Sequence, residues 1–144
     1  MMCYVDSSAA LRWLFRAPGA HRQFGRWQGA GSSELLLWEC HRALDRRRLE
    51  GSLGDDQLAY FKSRLDDFVS TITIVHISDP VRRRLREPFA TVVGTLDAVH
   101  LSTAALWRHE LGDAEFAILT HDRQLAVAAK AMGMPLVGTD ADLQ

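Results

Sequence analysis

Four carboxylates, Asp6, Glu39, Asp97 and Asp122, stand out against their surroundings. Glu39 lies in the apolar run Leu35-Leu36-Leu37-Trp38-Glu39-Cys40. Asp97 sits in Leu96-Asp97-Ala98-Val99-His100-Leu101-Ser102-Thr103-Ala104-Ala105, a stretch of small and apolar residues that reads as a packed helix. A carboxylate buried without a partner is unfavourable and tends to protonate, so something positive must compensate it. Taken singly, each acid has a plain structural use. Asp6 and Asp122 are able to cap helices, Asp97 favours a helix amino end, and Glu39 has His41 and Arg42 as neighbours for an ion pair. Taken jointly, they point to one acidic pocket for a divalent cation. Oxygen-only ligands suit Mg2+ or Mn2+. No zinc-like spacing exists, since Cys3 and Cys40 stand alone. Carboxylates gathered together repel until a cation enters. Such pockets hydrolyse phosphodiesters with an activated water, a second cation about 3.5–4 Å away stabilising the leaving oxygen. No nucleophilic Ser or Cys is required; Gly-x-Ser-x-Gly is absent, and neither cysteine has an evident base partner.

Bringing distant acids together is the task of the fold, and the chain reads as alternating strands and helices. Cys3–Val5 is a short strand. Asp6, Ser7 or Ser8 caps a helix over Ala9–Phe15, and Gly19–Gln28 reads as a second helix with Phe24 and Trp27 three apart. Gly29–Ser33 turns the chain and includes at most a very short strand. Ser33 caps a helix from Glu34 to about Arg48, which Gly51 and Gly54 end. Asp55–Phe68 is amphipathic, with Leu58, Phe61, Leu65 and Phe68 on one face. Thr71–Val75 is a β-branched strand, and Asp79-Pro80 starts a helix as N-cap and first residue. Thr95 caps a helix from Leu96 to about Glu110. Phe116–Thr120 is a buried strand, Asp122 caps a helix to Met132, and Pro135–Val137 is the last strand. Helices between strands imply an α/β fold with a parallel sheet covered on both faces. Ligands of such sheets bind beyond the carboxyl ends of the strands. Asp6 directly follows the first strand and Asp122 comes two residues after the Phe116–Thr120 strand, so both fall on that edge.

The 144 residues read as one domain, 1–144, long enough to bury roughly 70% of the unfolded surface. Apolar content of 47% and charged content of 24% are globular averages, which excludes disorder as the main state. No apolar run approaches the ~20 residues of a membrane span. The amino terminus lacks a basic segment followed by a long apolar stretch, and the cysteines form no disulfide framework, so a reduced cytoplasmic home is expected. With 17 basic against 18 acidic residues, the net charge is −1, which argues against a protein coated in positive charge. Lys occurs only at Lys62 and Lys130, and the other basic residues are Arg. Arg is the better fork for phosphates, although a GC-rich genome produces the same bias.

The pattern resembles a PIN-domain protein, specifically the VapC-type toxin of a bacterial type II toxin–antitoxin pair. The segments that carry the likeness are Tyr4-Val5-Asp6-Ser7-Ser8, Leu37-Trp38-Glu39-Cys40-His41-Arg42-Ala43-Leu44, Leu96–Ala104 and Ile118-Leu119-Thr120-His121-Asp122-Arg123-Gln124-Leu125. The resemblance implies a three-layer α/β/α sandwich with a central parallel sheet and a metal-dependent endoribonuclease activity. By position it makes Asp6, Glu39, Asp97 and Asp122 the acidic quartet. Asp6 and Asp97 would touch metal, Asp122 would hold a second ion or a bridging water, and Glu39 would complete the pocket. Thr120 would orient water or substrate, with Ser7 a weaker candidate because capping explains it. His100 reads as a hydrogen-bonded packing residue, and His121 is placed to meet phosphate. The implied partners are an RNA substrate, a cognate antitoxin that lays its carboxyl-terminal segment along an apolar groove, and a second copy in a homodimer, with no membrane.

Arg46–Arg48 and Arg82–Arg84 with Arg86 are either solvated helix faces or RNA-backbone contacts, and Arg12, Arg16, Arg22 and Arg26 are candidates for a groove rim. Trp13, Trp27, Trp38 and Trp107 read as core or interface residues by spacing. Two other enzymes on similar sheets fit poorly. A phosphoacceptor receiver domain needs a downstream Lys that is missing, and a haloacid-dehalogenase-like phosphatase needs Asp-x-Asp where Asp6 is followed by Ser7-Ser8. A catalytically silent PIN-like module that binds RNA or protein is the non-enzymatic alternative.

Overall fold

A computed structural model describes residues 1–20 and 24–138. Its strands are β1 (Met2–Val5), β2 (Gly29–Ser33), β3 (Thr73–Val75), β4 (Phe116–Thr120) and β5 (Leu136–Gly138). Its helices are α1 (Ser7–Leu14), α2 (Leu35–Leu49), α3 (Asp55–Ser70), α4 (Asp79–Arg84), α5 (Thr95–Leu111) and α6 (Arg123–Ala131). The strands form one sheet in the order β3-β2-β1-β4-β5. Every pairing is parallel, and Tyr4 stands opposite Gly31 on one side and Ile118 on the other.

Strand alternation divides the core in two. Cys3, Val5, Ala30 and Leu119 face α1, α2 and α3 through Ala9, Leu14, Leu36, Cys40, Leu44, Leu65 and Phe68. Tyr4, Phe116 and Ile118 face α5 and α6 through Leu101, Ala104, Trp107, Leu125, Ala128 and Ala129. Helices on both faces explain why β1 and β4 are nearly continuous buried runs. The expected α/β/α sandwich is therefore the observed one.

Three readings of the chain change. Gly29–Ser33 is a full five-residue strand between β1 and β3, not a turn. Its small residues hid it from β-propensity, and packing explains them: a Cβ on Gly31 would stand 2.8 Å from the Trp107 ring. Ser32 adds a hydroxyl bond to the Val5 carbonyl at 2.6 Å. The helix expected over Gly19–Gln28 is absent from its described part, where the chain turns with positive φ at Gly19 and Gly25. Its aromatic pair serves packing instead, with Phe24 stacked on Trp13 at 4.9 Å and Trp27 edge-on to Phe24. Arg22, the candidate rim residue, lies outside the described residues. Finally, Ser78 and Gly94 are the N-caps of α4 and α5, so Asp79 and Thr95 are first helical residues rather than caps.

Candidate functional site

The sheet order makes a crevice. From β1 the chain moves outward to β2 and β3, then returns to the other side of β1 for β4, and ligand sites in open parallel sheets favour the carboxyl ends at such a reversal. Asp6 leaves β1 and caps α1 by accepting from the Ser8 amide. Asp122 follows β4 and caps α6 by accepting from the Leu125 amide at 3.1 Å. Both acids are thus caps and also members of the edge. Glu39 joins from the second turn of α2, and Asp97 from the first turn of α5.

Asp6 is buried and hydrogen-bonded chiefly through Oδ2. Its Oδ2 accepts from the Ser8 hydroxyl and, at 2.8 Å, from the fully buried Thr120 hydroxyl. Thr120 Oγ1 in turn accepts from the Asp122 amide at 3.0 Å, tying one acid to the backbone of another. Ser7 Oγ stands 3.4 Å from Asp6 Oδ1. The better-engaged hydroxyl is Ser8, which also accepts from the His121 amide at 2.9 Å. Sequence reasoning passed over it, and no signal distinguishes it from an ordinary helix-start serine.

The positive group that the buried acids need is His100. It is 1% exposed, with Nε2 2.6 Å from Glu39 Oε1 and 3.5 Å from Asp6 Oδ1. Glu39 therefore pairs across helices rather than with His41 or Arg42. The other ring nitrogen, Nδ1, lies 2.7 Å from the Tyr4 hydroxyl, whose oxygen accepts from the Ser33 amide. Burial disfavours the imidazolium, but the Glu39 hydrogen bond and the charges of Asp6, Glu39 and Asp97 outweigh it and raise its pKa. Burial, then the Asp6 charge, holds the Tyr4 phenol far above its usual range, so Tyr4 stays neutral.

Asp97 is different. It is half-buried, and no described residue donates a hydrogen bond to its carboxylate. Burial first, then the carboxylates of Asp122, Asp6 and Glu39, push its pKa up to about 6, against partial relief from His100. Asp97 thus lies within the fields of the other three expected acids.

The remaining candidates divide. Trp107 is core, whereas Trp38 is 54% exposed one residue before Glu39 and so lies outside the core. Several arginines are engaged locally: Arg42 and Arg48 with Asp45, Arg82 with Asp79, and Arg84 across the Phe89 ring. Cys3 and Cys40 are buried free thiols pushed up to about 12, chiefly by burial, and are inert. No described helix is long and apolar enough to cross a membrane.

The donor set is oxygen-rich and anionic, as a hard divalent cation requires. No group of three His, Cys, Asp or Glu among the described residues stands ready as a metal cage. Mg2+ needs none: it keeps most of its waters and is held by one or two carboxylates plus substrate phosphate. The residues fit such an ion, with Asp97 the carboxylate to which no described residue donates.

A sequence model of the PIN domain matches residues 3–131. No curated protein matches the sequence. Among solved structures, VapBC2 from Rickettsia felis, bound to a DNA fragment from its promoter, is similar in fold. Its TM-score is 0.66 at 12% identity, over 95% of this chain and 98% of that one. A toxin–antitoxin complex from Klebsiella pneumoniae gives 0.63 at 16% identity, over 94% and 95%. PAE2754 from Pyrobaculum aerophilum gives 0.65 at 21% identity, over 96% and 85%.

Proposed function

Because the chain belongs to the PIN-domain family, we propose that it is a metal-dependent endoribonuclease and the toxin of a toxin–antitoxin pair. PIN domains are generally nucleases, which supports the hydrolase class. The single observation that carries the reading is the position of Asp6, Glu39, Asp97 and Asp122 at the ends of β1 and β4 and in the early turns of α2 and α5, near enough that the other three, after burial, push the Asp97 carboxyl up to about 6. A half-buried acid repelled by three others, with no donor among the described residues, has a cation as its natural partner.

In this reading Mg2+ or Mn2+, when bound, supplies an activated water and screens the phosphodiester from the acids. Asp6, Asp97 and Asp122 would hold it. Thr120 and Ser8 fix the Asp6 carboxylate by hydrogen bonds, and Thr120 also fixes the Asp122 backbone. His100, anchored by Tyr4, orients Glu39 and offsets the charge of the buried acids. The whole chain, 1–144, acts as one cytoplasmic domain.

Partners follow the same logic. Two of the fold relatives are toxin–antitoxin assemblies, which supports an antitoxin for this chain. A cavity of about 440 Å3 lined by Trp13, Phe24, Trp27 and Phe68 offers that antitoxin an apolar seat. Wild-type antitoxin affinity in Trp27→Ala would remove this seat from the proposal. A homodimer is proposed on the family likeness.

The test of the activity is cleavage of fluorogenic single-stranded RNA with Mg2+ or Mn2+, with and without chelator, and with Asp6→Ala and Asp97→Ala. Metal-dependent turnover lost in both variants is the expected result. RNA binding without turnover in the wild type supports the silent module.

A further inference from the structure

A cavity of about 440 Å3 is lined by Thr91, Val92, Arg123, Gln124 and Val127, residues close in sequence to Asp97 and Asp122. Its place follows from the chain. Arg123 and Gln124 immediately follow Asp122, and Thr91 and Val92 lie on the segment that leads into α5, where Asp97 is in the first turn. The walls are unusual for a protein surface. Val92 is 83% exposed and Val127 37%, which puts both among the exposed large apolar residues. Thr91 Oγ1 is the opposite case, a buried hydroxyl oxygen with no hydrogen-bond partner among the described residues. Gln124 adds an amide that both donates and accepts.

We infer that this cavity receives the base of the nucleotide adjoining the hydrolysed phosphodiester, with Val92 and Val127 against its faces and Gln124 and Thr91 Oγ1 at its edge. The inference rests on the nuclease reading above and names the part of RNA that reading leaves unassigned. A base has apolar faces and a rim of donors and acceptors, which matches the two kinds of wall. An aliphatic side chain from a protein partner would fill the space between the valines but leave the Thr91 hydroxyl unpaired. A phosphate or ribose alone would leave the valines exposed. The Gln124 amide favours a base edge that places a donor beside an acceptor, as adenine does. RNA recognition through splayed, single-stranded bases is the usual way such an edge is read.

Methyl-resolved NMR on the full chain tests it, with ribonucleoside 5′-monophosphates added one at a time and ribose 5-phosphate as the base-free control. The Val92 and Val127 methyl signals are expected to move with at least one nucleotide and to stay still with ribose 5-phosphate. Gln124→Ala should weaken that binding about tenfold, the loss of one paired base contact. Val127→Trp should fill the cavity and abolish it, with an otherwise folded spectrum. In RNA cleavage, Gln124→Ala should relax base preference at one position beside the cut. Valine signals unmoved by every nucleotide, or moved equally by ribose 5-phosphate, overturn the inference. If the wild type cleaves RNA while the valines stay silent and Gln124→Ala cuts the same sites, the inference fails and the nuclease reading stands. Nucleotide binding at the valines without cleavage under any metal keeps the base site and overturns the nuclease reading.

Discussion

The acidic edge has two halves built on opposite plans. On the β1–α2 side, Asp6 and Glu39 are met by Ser8, Thr120 and His100, and His100 is itself anchored by Tyr4. On the α5–α6 side, Asp97 has no donor among the described residues and is repelled by its neighbours, while Asp122 gives a carboxylate oxygen to a helix cap. Hydrogen-bonded carboxylates are part of what holds a fold together. A carboxylate left under like-charge repulsion is a local liability, tolerated where something outside the chain relieves it. In the first half Asp6 is fixed in place by its donors, and in the second Asp97 is left for an ion to relieve.

The sharpest way to break this division is to neutralise one acid from each half. Asp97→Asn and Asp6→Asn are each expected to lower metal-dependent RNA cleavage by about 10^2–10^3-fold, the scale of one lost electrostatic stabiliser. Their effects on the metal-free fold should have opposite signs. Asp6→Asn takes acceptor capacity from three hydroxyls and a cap, and should destabilise by about 1–2 kcal/mol. Asp97→Asn removes repulsion. A shift to about 6 corresponds to roughly 2–3 kcal/mol; solvent reaching the half-buried group reduces that, and a gain of about 1–2 kcal/mol is expected. Denaturant midpoints in chelator measure both, and a destabilised Asp97→Asn would erase the distinction between the halves.

Removing the anchor beneath the positioning half comes next in size. Tyr4→Phe leaves the Ser33 amide and His100 Nδ1 buried without their partner. A loss of about 1–3 kcal/mol is expected, with cleavage reduced through a loosened Glu39. Unchanged stability together with unchanged activity would show that the Tyr4–His100–Glu39 chain positions nothing.

pH separates the halves differently. The folded Asp97 carboxyl binds its proton more tightly than the unfolded chain does. Its contribution therefore favours folding below the ordinary aspartate range and is lost as pH rises through about 6. His100 is raised as well, so its contribution is complete below the ordinary histidine value and disappears above the folded one. Without metal, stability should fall as pH rises, in one step between the ordinary aspartate range and about 6 and a second that begins at the ordinary histidine value. Asp97→Asn should flatten the lower step and Glu39→Gln the upper. Added Mg2+ should raise the midpoint more at the alkaline end, because it competes with the Asp97 proton. A Mg2+ effect equal at both ends would uncouple Asp97 from the ion.

Much of this was legible in the chain. β4 and the α6 cap at Asp122 fall where alternation and capping chemistry put them, because both signals are local. β2 was not legible. Gly-Ala-Gly-Ser-Ser carries no strand propensity, and only the Trp107 ring, far along the sequence, explains why small residues are needed there. Glu39 and Asp97 were found by their mismatch with apolar neighbours and Asp6 and Asp122 by their place just after strands, both of them local signals. Their division into a satisfied and an unsatisfied half was invisible, since the donors come from Ser8, Thr120 and His100 on three different elements.

Ser8 gives the smallest expected effect and the finest resolution of the division. Its hydroxyl donates to Asp6, lies 3.2 Å from Thr120 Oγ1 and accepts from the His121 amide, so it stitches the start of α1 to the end of β4. Ser8→Ala deletes one hydroxyl while leaving the Ser8 amide to be capped by Asp6. A loss of about 1 kcal/mol is expected, in the ordinary range for one hydrogen-bonding group. Because Thr120 still holds Asp6 Oδ2, cleavage should drop far less than in Asp6→Asn, with the change in kcat rather than KM. Thr120→Val is the companion variant, removing the donor to Asp6 and the acceptor for the Asp122 amide together. If Ser8→Ala reduces cleavage as much as Thr120→Val, the two hydroxyls act as one unit. If only Thr120→Val does, the link between the two acids runs through Thr120, as the shared Asp122 amide bond requires.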